Sequence, residues 1–152
     1  MMDIETRTHT ALHIVKGALV KVLGDKARWT TSAYVDGNHG RIHIEFDHKP
    51  SDEEVMLIEE KVNQVIKEDR DIEILKLDRE EAEEKWGDWI YDRFPIPEKI
   101  KELDIFHLPG WNVNACNKKH TKTTGEVGKI SIVKTRFRNS RKELEVSYDI
   151  DD

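Results

Sequence analysis

The chain has 152 residues, 37% hydrophobic and 37% charged, enough for one continuous core, and a net charge of -6 that argues against a generic nucleic-acid binder. No apolar run approaches the roughly 18 residues of a membrane span, and the first twenty residues lack the basic region, apolar run and cleavage site of a secretory leader. The single cysteine, Cys116, excludes an internal disulfide and points to the reducing cytoplasm. We therefore expect one domain over residues 1–152, neither secreted nor anchored.

Leu12, Val15, Leu19, Val22 and Leu23 form a helical stripe within Glu5 to Leu23, and Gly24 is placed to cap it. Ala27 to Val35 and Arg41 to Phe46, rich in β-branched and aromatic residues, flank Asp-Gly-Asn-His-Gly and predict a hairpin. Ser51 with Glu54 reads as a capping box before a second amphipathic helix that runs to about Asp69. A strand follows over Asp71 to Leu77, then a short helix capped by Asp78 with Glu81 and ending near Gly87. Leu103 to Leu108 reads as a strand broken by Pro109-Gly110. Trp111 to Gly128 reads as a polar, irregular loop, and long loops in compact domains usually carry function. Lys129 to Arg138 and Glu143 to Ile150 form a closing pair of strands. This order predicts an α+β fold, a largely antiparallel sheet packed with helices.

Charge is unevenly spread. Pro50 to Glu84 holds 14 acidic and 5 basic side chains, whereas Trp111 to Lys142 holds 9 basic and 1 acidic. The acidic stretch reads as helical surface, and the basic one as a face for an anionic substrate or as a solvated hairpin.

Metal-ligating residue types converge on two places. His9 and His13 are four apart and share one face of the first helix, a geometry that grips one ion. Cys116 and His120 repeat the offset inside the loop, and thiolate with imidazole is the donor set zinc prefers. Four permanent protein ligands would make a folding zinc, and an open position a catalytic one. His9 to His13 also has the histidine spacing of the protease motif His-Glu-x-x-His, but Thr10 stands where that motif needs its general base. His39, His43, His48 and His107 read as surface or hydrogen-bonded residues.

Thr8-His9-Thr10-Ala11-Leu12-His13 together with Asn112-Val113-Asn114-Ala115-Cys116-Asn117-Lys118-Lys119-His120-Thr121 resembles the editing domain of alanyl-tRNA synthetase. With Trp29-Thr30 and Thr121 to Glu126, the layout is most similar to the short free-standing AlaX-type trans-editing proteins. Where synthetase-attached copies read Cys-Gly-Gly-Thr-His, this chain has Cys-Asn-Lys-Lys-His, with the ligand spacing retained.

The resemblance implies a fold of the alanyl/threonyl-tRNA synthetase editing-domain type. It also implies zinc-dependent hydrolysis of the ester linking serine or glycine to alanine tRNA. It assigns His9, His13, Cys116 and His120 to zinc, and places Thr30 in the amino-acid pocket as the group that hydrogen-bonds serine. Lys118, Lys119, Lys122, Lys134, Arg136 and Arg138 are then expected to meet tRNA phosphates. Two other readings remain at this point, a non-catalytic RNA-binding module with a structural zinc and a threonyl-type editing domain.

Overall fold

The computed structural model describes residues 3–94 and 96–151. The chain begins with helix α1 (Ile4–Leu23) and a hairpin of β1 (Thr30–Asp36) and β2 (His39–Glu45), then helix α2 (Asp52–Glu68). Next come β3 (Glu73–Asp78), helix α3 (Arg79–Trp86), β4 (Glu102–Leu108) and β5 (Asn112–Ala115), and a last hairpin of β6 (Ile130–Arg138) and β7 (Glu143–Ile150). The strands form two antiparallel sheets, ordered β1-β2-β7-β6 and β3-β4-β5. The expected α+β class and antiparallel pairing are met. No helix among the described residues is long and apolar enough to cross a membrane.

The four-stranded sheet has one dry face. Ile42 and Ile44 of β2 pair with Val146 and Leu144 of β7, and Ile130 of β6 pairs with Ile150, so alternate residues all turn toward α1 and α2. Gly40 lies under the ring of Tyr148, where any Cβ would collide, and the Tyr148 hydroxyl donates to the Thr8 carbonyl at 2.8 Å. That bond pins α1 to the sheet. The opposite face carries charged rows, with Arg136 facing Glu145 and Arg138 facing Glu143.

Edge strand β6 is covered by α2. Asn63 accepts from the Ile130 N–H at 2.9 Å and donates to its carbonyl at 2.8 Å, and Glu59 accepts from the Ile132 N–H at 2.7 Å. The helix side chains thus satisfy backbone groups that an open edge would leave exposed. The Ser51 capping box forms as expected, with both reciprocal bonds present.

The central strand of the three-stranded sheet, β4, is packed on both faces. Leu103 and Ile105 of β4 turn toward α3 and pack with Ala82 and Ile90, whereas Phe106 and Leu108 turn into the larger core beside α1. Helix α1 therefore lies between the two sheets, which is why even its Thr8, Thr10 and Lys16 are buried.

Three expectations need correction. Residues 112–115 are not loop but strand β5; its polar asparagines hide the alternation, because only Val113 and Ala115 join an apolar cluster. The first hairpin begins at Thr30, since Asp25–Arg28 closes into a 3-10 turn after Gly24. Asp78 occupies the N-cap of α3, but its side chain makes no capping hydrogen bond.

Candidate metal centre

The period of two along β5 builds the site. Val113 and Ala115 point into the smaller apolar cluster, which leaves Asn112, Asn114 and then Cys116 facing α1. From α1, His13 meets them, 1% exposed, with Lys16 one turn later. His120 follows on the segment after β5. The ligand atoms of His13, Cys116 and His120 lie within 4.8 Å of one another. Cys116 Sγ and His120 Nε2 are 3.4 Å apart, close to the roughly 3.6 Å that separates a thiolate and an imidazole on tetrahedral zinc.

Phe106 backs the group. Its ring stacks on His13 with centroids 4.1 Å apart and an interplanar angle of 12°, and His120 stands edge-on to both rings. The His13 Nδ1 bonds Asn112 Oδ1 at 3.0 Å, and because that oxygen only accepts, Nδ1 carries the proton and Nε2 keeps its lone pair. This Nε2 is buried without any hydrogen-bond partner, an orphan that a metal ion would satisfy.

Thr10 plays the same part for His120. Its hydroxyl accepts from the Thr121 N–H at 2.9 Å and donates to the Thr6 carbonyl at 3.2 Å. The remaining lone pair then accepts from His120 Nδ1 at 3.3 Å, so Nε2 again keeps its lone pair, turned here to the Cys116 thiol at 3.4 Å. Both imidazoles are thus held by outer partners in the tautomer a metal requires. The residue that excluded a protease motif is a positioning group.

The electrostatics agree. Burial, then His120 and Lys16, hold His13 well below its ordinary range, and burial followed by His9 lowers His120 to about 4. Both rings are therefore neutral near pH 7, the form that ligates. Burial raises the Cys116 thiol, so without a metal it stays protonated. Lys16, 4% exposed, forms an ion pair with Asp92 and donates to Asn114 Oδ1 at 3.2 Å. Two imidazoles and one thiol at this separation fit zinc.

The other expected site residues divide. His9, half-buried on α1, stays outside the group within 4.8 Å, although it depresses the pKa of His120. A cleft of about 600 Å³ opens beside Cys116 and His120, walled by Thr6, Asp104, Lys118 and Lys119. Lys122 is exposed just beyond it. Lys134, Arg136 and Arg138 lie on β6 of the other sheet and do not line the cleft. Thr30 is 5% exposed at the start of β1, with a hydroxyl that has no partner, and it too is absent from the cleft wall. Asn112 and Phe106 escape sequence reasoning because their roles arise across 99 and 93 positions of chain from His13; only the His9 to His13 face signals that partners are needed.

No model of a known protein family matches the chain. Among curated proteins it is similar to the alanine–tRNA ligase of Methanopyrus kandleri, 35% identical over 128 residues, 84% of this chain. It is 36% identical over 129 residues, 85% of the chain, to that of Pyrococcus furiosus, and 37% identical over 145 residues, 95% of the chain, to that of Methanococcus aeolicus. The chain spans only 14% of the first two relatives and 16% of the third. With the α+β fold and the gathered His/Cys/His group, this coverage places the chain in the family formed by the editing domain of alanyl-tRNA synthetase and the AlaX-type proteins.

Proposed function

We propose that this chain is a zinc-dependent aminoacyl-tRNA deacylase that acts in trans in the cytoplasm on alanine tRNA mischarged with serine or glycine. The observation that carries the reading is the convergence of His13, Cys116 and His120 beside a cleft flanked by Lys118 and Lys119. The named relatives are alanine–tRNA ligases, which favours the alanine branch over the threonyl one.

His13, Cys116 and His120 would hold the zinc, with His9 the candidate fourth ligand one turn away on α1. Zinc bound there supplies a Lewis acid for an ester carbonyl or a means of activating water. Phe106 keeps the inner side of the group dry, while Thr10 and Asn112 fix the two imidazoles. Lys118 and Lys119, exposed on the cleft wall, offer charge to tRNA phosphates; Lys122, Arg136 and Arg138 extend that role at longer range. The Thr30 hydroxyl is buried without a partner, as a group reserved for the serine hydroxyl would be, although Thr30 does not line the cleft beside Cys116.

The test is release of the amino acid from tRNA charged with serine, glycine or alanine. Serine or glycine should be released rapidly and alanine slowly, a chelator should stop the reaction and zinc should restore it. Absence of metal-sensitive release from both mischarged forms overturns the proposal.

A further inference from the structure

Three of the four tryptophans line one open pocket that shares no wall residue with the cleft. Trp86, Trp89 and Trp111 form its walls, around a volume of about 260 Å³. Asn112, which also bonds His13, lines it as well, so a single residue separates the pocket from the metal-ligating group.

The rings are held in place. Trp111 donates from Nε1 to the Ile14 carbonyl at 2.9 Å, and its ring occupies the space that a side chain at Gly17 would fill. Trp86 leans on the ring of His107, with centroids 5.1 Å apart. Trp89, 40% exposed, has the Arg28 guanidinium over its ring at 4.4 Å, and the same guanidinium lies 4.3 Å from the ring of the fourth tryptophan, Trp29. Asp88 fixes Arg28 through two hydrogen bonds, at 2.9 and 3.2 Å. An indole left open to solvent but locked in orientation is a prepared stacking surface.

The charges narrow the ligand. Arg28 is neutralised by Asp88 and Lys16 by Asp92, so the pocket interior offers no unpaired cation to a small anion. Cationic groups sit at the rim instead, with the Lys21 ammonium 5.7 Å from the Trp111 ring and that of Lys85 5.7 Å from the Trp86 ring. Flat aromatic walls, a primary amide and peripheral ammonium groups suit a planar heterocycle that carries phosphate outside. The volume lies below the roughly 300 Å³ at which pockets for larger ligands begin, and so suits one ring system. The geometry points to a pocket for one unpaired nucleobase near the 3′ end of the tRNA, stacked against Trp89 and Trp111. It rests on the tRNA deacylase reading and adds to it a base-binding site outside the metal cleft.

The experiment uses the zinc-loaded full chain, whose tryptophans report binding directly. Wild type, Trp89→Ala and Trp89→Phe are titrated with the trinucleotide CCA, and with uncharged alanine tRNA that either keeps or lacks its unpaired 3′ nucleotides. Trp89 is exposed, so the variants should keep their circular dichroism and zinc content. CCA should quench the wild-type fluorescence saturably. Trp89→Ala should weaken intact tRNA by about tenfold, and Trp89→Phe should restore most of it. Removing the 3′ nucleotides should cost wild type about the same factor and Trp89→Ala little. Equal affinities of wild type and Trp89→Ala for intact tRNA, or a truncation penalty identical in both, overturn the pocket. Metal-sensitive hydrolysis is scored separately. If coupling appears without hydrolysis, the deacylase reading falls and the base pocket stands; hydrolysis without coupling removes the pocket alone.

Discussion

The two sheets do different work with the same antiparallel geometry. The four-stranded sheet spends its inner face on aliphatic side chains, with Ile42, Ile44, Leu144 and Val146 fully or almost fully buried, and it leaves the other face charged. The three-stranded sheet buries its central strand β4 on both faces, yet the side of β5 turned to α1 carries Asn112 and Asn114 and leads to Cys116. A buried strand with polar residues is costly unless each finds a partner. Asn112 finds His13, and Asn114 finds Lys16, Asp92 and the Ile90 carbonyl. The larger sheet thus reads as scaffold, and the smaller one as the element that presents chemistry to α1.

Cys116→Ala should separate the two regions most strongly. It should lower zinc affinity by more than the roughly hundredfold upper range for outer partners, while leaving the four-stranded sheet folded. Competition with a chromophoric chelator and far-UV circular dichroism read the two effects. Ile42→Ala should do the reverse, costing about 2–5 kcal/mol of stability in denaturant titration with zinc affinity of the folded fraction unchanged. A large fall in zinc affinity from Ile42→Ala would deny the division.

Thr10→Val tests whether α1 tunes the site from outside the ligand set. Losing the acceptor for His120 Nδ1 should weaken zinc by about 10–100-fold. Because the Thr121 N–H loses its acceptor too, Thr10→Ser, which keeps the hydroxyl, should restore most of the affinity and separates orientation from folding.

The smallest effect is in pH. His120 has its pKa lowered from 6.5 to about 4, and burial holds that of His13 well below its ordinary range, so on acidification the unfolded chain takes up protons that the folded chain refuses. Metal-free protein should be unaffected by these groups above pH 6.5 and should lose stability as pH falls from there toward about 4. Thermal melts of wild type against His120→Asn measure it, and the variant should show a shallower decline.

Local pattern revealed most elements. The stripe from Leu12 to Leu23, the Ser51 capping box and the Gly24 stop are each decided within a few residues, where hydrogen bonding and side-chain period act directly. Strand β5 was not legible, because four residues with two asparagines look like loop until β4 supplies the pairing. The metal-ligating types His13, Cys116 and His120 were visible as chemistry, since few side chains bind zinc. Which of them meet was not, and His9 and Thr30 stand apart from the group although the chain gives them equal prominence.

The sequence by itself determined the helices, the two hairpins, the donor types and the basic stretch around Cys116 and His120, because each depends on neighbours close in the chain. Only the tertiary structure decided that α1 lies between two sheets, that Thr10 and Asn112 fix the imidazole tautomers, and that three tryptophans converge on one pocket. Those arrangements join residues up to about a hundred positions apart, and burial of α1 on both sides is what brings them within hydrogen-bonding distance.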